Sequence, residues 1–150
     1  MIQLKITDSK IIDLIGLLTL LYKDLDISDG EEHGFYHQFN GIETIKYAVV
    51  AYQDNIPMAC GAIKGYDAST VEIKRMYTLP ESRGKGIATK ILDELENWAA
   101  QLGYKRCILE TGKKQPKAIS LYKKTGYIVI SNYAQYKGIE NSVCFEKLLT

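Results

Sequence analysis

Three cysteines in 150 residues, Cys60, Cys107 and Cys144, are too scattered and odd in number for a disulfide framework, and no C-x-x-C pair marks a zinc site. Thiols used this way suit a reducing cytosol. A surplus of one charge is also missing, since 19 basic and 18 acidic side chains leave a formal net charge of +1. Binding to the phosphate backbone of nucleic acid rests on excess Lys and Arg, so no nucleic-acid partner is expected. Long apolar runs are absent too: the longest, Ile11 to Tyr22, is broken by Asp13, Gly16 and Thr19 and falls short of the roughly 20 residues that cross a bilayer. It precedes no small-residue cleavage site, so neither a membrane span nor a signal peptide is predicted. Metal motifs fare no better. His33 and His37 stand four apart but flank Gly34 and lack the Glu of H-E-x-x-H, and the run Asp24, Asp26, Ser28, Asp29 brings its glycine, Gly30, one position late for a calcium loop. No Pro/Gly/Ser linker, repeat or low-complexity tract divides the chain. Residues 1–150 therefore read as one domain, large enough to bury about 70% of its unfolded surface.

What is present is an ordinary globular composition, 46% apolar and 25% charged, with tyrosine dominating the aromatics at 11 of 15. Alternation of Ile2, Leu4 and Ile6 predicts a half-buried strand, and Asp8 or Ser9 suits the cap of a helix over Ile11 to Tyr22. The stretch from Asp24 to Gly41 reads as loop plus short helix. Tyr47–Tyr52 and Met58–Tyr66 flank the turn Gln53-Asp54-Asn55 as a hairpin, and Thr70–Thr78 follows as a third strand ending before Pro80. The period then changes. Ile87, Ile91, Leu92, Leu95, Trp98, Ala99 and Leu102 fall at helical spacing, and Gly103 stands where a C-terminal cap belongs. Arg106–Thr111 is predicted as a strand, Pro116 to Gly126 as a helix, and Tyr127–Tyr133 and Ser142–Leu149 as closing strands. The order β-α-(α)-β-β-β-α-β-α-β-β is that of a mixed α/β fold.

Between the third hairpin strand and the long helix lies Arg83-Gly84-Lys85-Gly86-Ile87-Ala88. Glycines let the backbone approach a ligand, the helix N-terminus presents unpaired N–H groups, and Arg83 and Lys85 add positive charge, so the segment suits a phosphate or pyrophosphate. A glycine loop that merely starts a helix is the plainer alternative. The dinucleotide pattern G-x-G-x-x-G fails because Thr89 holds its last position, and no Walker Gly-Lys-Ser/Thr occurs at the required spacing.

Arg83-x-x-Gly86-x-Ala88, after a strand and a proline, resembles the acyl-CoA signature Q/R-x-x-G-x-G/A of the GNAT superfamily of N-acetyltransferases. The downstream Gln115-x-x-Ala118-x-x-x-Tyr122-x-x-x-Gly126-Tyr127 is similar to that family's second signature, with Gln115 standing where many members carry Asn. Residues 70 to 133 carry the motifs, and the element order on either side agrees. The stretches F-N-G-I-E-T-I, E-I-K-R-M-Y, L-E-T-G-K-K-Q-P and N-S-V-C-F-E-K resemble a bacterial subgroup of small members whose acceptors are mostly unassigned.

The resemblance implies a GNAT fold: a central mixed sheet of six to seven strands, a splayed parallel central pair at 70–78 and 106–111, and helices on both faces. It implies acetyl-CoA as cosubstrate, no metal, and transfer of the acetyl group to a primary amine of a small molecule or peptide by direct attack in a ternary complex. Gly84, Lys85, Gly86, Ile87, Ala88 and Thr89, with Arg83, would hold the pyrophosphate, Met76, Tyr77 and Thr78 would pair with the pantetheine arm, and Gln115 and Tyr122 would complete the cofactor side. An alkyl ammonium has a pKa of about 10.4, so a base is needed. Glu72 is the first candidate, on a strand face with Lys74 and Met76, and Glu110 the second; the plainer reading of Glu72 is a surface glutamate paired with Lys74. A main-chain N–H near Met76 or Tyr77 is the expected oxyanion donor. Tyr122, seven residues and nearly two turns beyond Gln115, is the expected acid for the leaving thiolate, where an amphipathic helix alone would make it a core residue. Phe35 and Tyr36 are expected beside the acceptor, where the five acids in 24–32 would favour a cationic amine; equal turnover of neutral and cationic amines would count against this. A non-catalytic acyl-CoA sensor or partner-binding module is the alternative, and a toxin acting on aminoacyl-tRNA would need a basic surface that this composition lacks. Homodimers are common in families of this kind.

Overall fold

The structure, a computed structural model, describes residues 2–7, 17, 20 and 47–149. They form β1 (Ile2–Thr7), β2 (Tyr47–Gln53), β3 (Ile56–Gly65), β4 (Thr70–Thr78), α1 (Ile87–Gln101), β5 (Arg106–Gly112), α2 (Pro116–Lys124), β6 (Ile128–Ile130) and β7 (Ser142–Leu148). Single 3-10 turns occur at Pro80–Ser82 and Ala134–Tyr136. The predicted helix over Ile11 to Tyr22, apart from the helical positions Leu17 and Leu20, and the predicted loop and short helix up to residue 46 lie outside the described residues.

All the described strands join one mixed sheet in the order β1-β2-β3-β4-β5-β7-β6. Asp54 and Asn55 connect β2 to β3 with φ of 53° and 64°, the two left-handed positions that a tight hairpin turn of this hand requires. Only β4 and β5 run parallel, and their ladder is short: Thr70 pairs Arg106, Val71 pairs Cys107 and Glu72 pairs Ile108. Beyond that point the two strands part, while β5 continues against β7 as far as Gly112.

Both faces of the sheet are covered. Ala48, Val49, Val50 and Ala51 in β2 have no exposed surface at all, which for alternating side chains demands packing on either side. On one face Ile87, Ile91, Leu92, Leu95 and Ala99 of α1, with Tyr122 of α2, meet Val49, Ile63, Val71, Ile73, Leu109 and Phe145. Each such aliphatic or aromatic side chain contributes about 1.5–3 kcal/mol when fully buried. On the other face the helical Leu17 packs with Ala48, Val50, Tyr52, Cys60, Ala62 and Tyr77.

Two sequence expectations need correction. Glu72 does not share a face with Met76, because β4 carries a bulge: Ala62 pairs Lys74 and Cys60 pairs Tyr77, so Gly61 alone faces both Arg75 and Met76. Arg75 has a left-handed φ of 57°, and the extra residue reverses the alternation. Val71, Ile73 and Met76 thus pack toward α1, whereas Tyr77 joins the opposite cluster. Second, the strand expected to run from Tyr127 to Tyr133 stops at Ile130. Asn132 turns the chain there, its Nδ2 donating to the carbonyls of Tyr136 and Ile139, and Ala134 adopts a φ of 48°.

Candidate active site

Past the point where β4 and β5 part, the end of β4 borders a cavity of about 810 Å³, within the size range of small-molecule sites. Its walls include Met76, Tyr77 and Thr78 from the end of β4, Arg83, Gly84 and Gly86 from the following loop, Ile87, Ala88 and Thr89 from the first turn of α1, and Gln115 and Tyr122 from α2. The sequence motifs, 26 or more residues apart, are therefore brought to one place. Lys85 is exposed and is not among the lining residues, whereas Lys117 and Lys124 of α2 are.

Gly84 and Gly86 take φ of 79° and 78°. A Cβ at either would meet nothing within 4 Å among the described residues, and it is the backbone conformation that calls for glycine. Gly86 occupies the N-cap of α1, where no side chain caps the helix and no acidic residue stands in the first turn. A helix start of this kind leaves its first N–H groups and the positive end of its dipole facing the cavity. Arg83 folds back over this loop: its Nε donates to the Thr78 carbonyl at 2.8 Å and its guanidinium lies 5.5 Å from the Tyr77 ring. α2 also begins without a side-chain cap at Gln115.

Tyr122 is buried to 6% exposure between the rings of Tyr127 and Phe145 while lining the cavity. Burial, reinforced by the charge of Glu110, holds its phenol well above the usual tyrosine range, so the hydroxyl keeps its proton at any ordinary pH.

Glu72 sits at the last paired position before the splay, on the face away from α1. It is not a surface residue; only 6% is exposed. Its Oε2 accepts from the Tyr133 hydroxyl at 2.6 Å, and Lys74 Nζ stands 3.4 Å from Oε1. Burial lowers the proton affinity of Lys74 more than Glu72 restores it. Glu110 lies past the splay point on β5 and accepts from Ser142 Oγ at 2.8 Å. Burial raises the Tyr136 phenol above its usual range, with the charges of Glu72 and then Glu110 adding to the effect. Tyr133 and Tyr136 gave no signal in the sequence: they lie some sixty residues from Glu72, and only the turn after β6 brings them to it. Phe35 and Tyr36 lie outside the described residues.

Comparison with known proteins adds the following. The sequence model of the Acetyltransferase (GNAT) family matches residues 15–127. The uncharacterized N-acetyltransferase YjgM of Escherichia coli K12 is 36% identical over 83 residues, covering 54% of this chain and half the length of that relative. Among solved structures, a Klebsiella pneumoniae protein named as an acyl-CoA N-acyltransferase superposes with a TM-score of 0.84 at 28% identity, covering 100% of this chain and 99% of its own. The PaiA N-acetyltransferase of Thermoplasma acidophilum, solved in complex with coenzyme A, gives a TM-score of 0.74 over 99% of both chains; at 19% identity it shares the fold.

Proposed function

The chain belongs to the GNAT family of acetyltransferases, and from that we propose that it transfers the acetyl group of acetyl-CoA to a primary amine of a small molecule or peptide in a ternary complex. The observation that carries this reading is the glycine-capped start of α1, free of any side-chain cap or acid, opening onto the cavity beside the end of β4. Acetyl-CoA supplies the acetyl group as a thioester. Main-chain N–H groups of residues 84 to 89 donate to its pyrophosphate, with Arg83 and Lys117 adding positive charge at the wall. The exposed edge of Met76 to Thr78 hydrogen-bonds its amide arm in the manner of an added strand.

The acceptor amine enters from the face that carries Glu72. Glu72 takes the ammonium proton, directly or through water, and the freed lone pair forms the new N–C bond. A main-chain N–H near Met76 or Tyr77, where the bulge interrupts the ladder, donates to the oxygen on which charge develops. Tyr122 gives its proton to the departing sulfur as the C–S bond breaks, and the second proton, shed by the acetylated nitrogen, restores the phenol; its raised proton affinity keeps it loaded for that step. Glu110 is the second candidate base, and its charge is felt at Tyr122.

Thiol release from acetyl-CoA across polyamines, amino acids, aminoglycosides and peptide N-termini tests the reading. Turnover of at least one amine is expected, together with thermal stabilisation by CoA. Stabilisation without turnover would favour an acyl-CoA sensor, and no stabilisation at all would overturn the cofactor assignment.

A further inference from the structure

Resting on the reading of Glu72 as the base, we propose that Tyr133 is its positioning residue, fixing the carboxylate toward the fork between β4 and β5. Of the two donors to Glu72 among the described residues, the phenol is much the closer, at 2.6 Å against 3.4 Å for Lys74 Nζ. A charge-assisted O–H···O bond of that length is among the strong ones. It engages one lone pair of Oε2 and orients the carboxylate.

The phenol is itself held. The Tyr133 ring stands edge-on to Tyr66 on one side and Tyr136 on the other, with centroids 5.5 Å away in both cases. The chain around it is fastened by Tyr136 N–H donating to the Tyr133 carbonyl at 2.9 Å and by both bonds of Asn132 Nδ2. The next residue, Ala134, is kept at a left-handed φ of 48°, a conformation that in a non-glycine residue persists only where its surroundings impose it. Two flanking aromatic rings, three hydrogen bonds and one strained residue thus hold the ring whose hydroxyl meets Glu72.

Burial first, and the Glu72 charge second, keep the Tyr133 phenol protonated far above neutrality, so it donates throughout the working range. A donor to the ionised form of a carboxyl lowers its pKa, and its loss raises it. Other groups near Glu72 are Lys64, its register partner on β3, Lys74 and Arg75 on β4, and Glu110 on β5. Tyr136 and Cys144 also feel its charge. None of them is altered when Tyr133 loses only its oxygen.

The experiment is the pH profile of kcat/KM for the best amine, measured by thiol release on the full chain, for wild type, Tyr133→Phe, Glu72→Gln and the double variant. Tyr133→Phe is expected to lower kcat about tenfold, leave KM for acetyl-CoA within about twofold, and move the acid limb upward by about one pH unit. Glu72→Gln is expected to abolish that limb, and the double variant to match it. Should Tyr133→Phe fail to fold, the exposed Tyr66→Ala, which loosens the ring without touching the hydrogen bond, must move the limb in the same direction. If Glu72→Gln abolishes the limb and neither tyrosine variant moves it, the positioning role is overturned while the base stands. If Glu72→Gln leaves the limb in place, the base is elsewhere and the role of Tyr133 falls with it.

Discussion

Gly61→Ala is the sharpest test of how α1 is seated on the sheet. A Cβ built on Gly61 would lie 2.5 Å from Met76 Sδ, 2.7 Å from Ile91 Cγ2 and 3.0 Å from Leu95 Cδ1, whereas carbon atoms in contact rest about 3.5–4.0 Å apart. Met76 has three rotatable bonds and can yield. Ile91 is fully buried and β-branched, held to essentially one rotamer in a helix, so α1 itself has to withdraw. Overpacking of this kind costs about 1–3 kcal/mol, against about 0.4–1 kcal/mol regained because alanine restricts the unfolded chain. The clash wins, by about 1–2 kcal/mol. At about 2–4 °C per kcal/mol for a chain of this size, the variant is expected to melt about 2–8 °C below wild type. Because α1 carries the glycine cap and Met76 lines the cavity, the added stability that CoA confers is also expected to shrink. Thermal unfolding followed by circular dichroism, with and without CoA, measures both. A Gly61→Ala protein as stable as wild type would refute the seating of α1 described above.

Replacing Tyr122 with Phe is expected to lower kcat by at least tenfold while CoA affinity, read by calorimetry, changes little; an unchanged kcat would remove it as the acid. Glu96 is held by Tyr127 Oη at 2.9 Å and by Lys147 Nζ at 2.8 Å, which also reaches the Thr125 carbonyl. Lys147→Met strands a largely buried carboxylate and is expected to cost about 2–3 kcal/mol in urea unfolding, partly recovered in the Lys147→Met, Glu96→Leu double variant; additive losses would refute the pairing. Burial pushes the thiols of Cys60 and Cys107 up to about 12 and that of Cys144 to about 11, from an ordinary 9.0. The unfolded chain ionises first, so stability should hold below pH 9 and fall as pH rises toward 12, as urea midpoints across that range would reveal. The same burial should leave none of the three thiols open to rapid labelling below pH 8, and all three labelled in denaturant.

Much of this fold is local enough to be written in short stretches of sequence. Asp54-Asn55 specifies a turn, the 3.6-residue spacing from Ile87 to Ala99 specifies a helix with one buried side, and Gly103 and Gly126, at φ of 96° and 99°, mark where helices stop. The cradle was legible for the same reason, since its glycines and the helix after them are contiguous. What escaped was decided between distant segments. Arg75 is no glycine, so nothing in the sequence announces a left-handed residue in mid-strand, and the bulge that turns Met76 toward α1 could not be foreseen. The alternation Val71-Glu72-Ile73-Lys74 has the pattern of a strand with one wet face. Its polar side is in fact dry, because Tyr133 and its neighbours fold over it, and no period within β4 encodes that cover.

The bulge at Arg75 also shapes how a scaffold of this kind can change over generations. Ahead of it, Glu72 and Lys74 belong to the side from which an acceptor would arrive; behind it, Met76 leans into the core beneath the cradle helix. With Glu72 kept for its proposed role as base, substitutions at 74 can alter what is offered to one molecule without renegotiating the grip on the other, so acceptor preference can drift while the acyl donor stays the same. Length is a different matter. Deleting the extra residue at 75 would restore strict alternation and leave Met76 in the core and Tyr77 opposite, whereas straightening the strand with residue 75 retained would exchange the sides of everything after it, turning Met76 out of the core and Tyr77 into it. At this point in the chain, the loss of the one extra residue keeps every later side chain on its side, and the loss of the bulge with that residue retained does not.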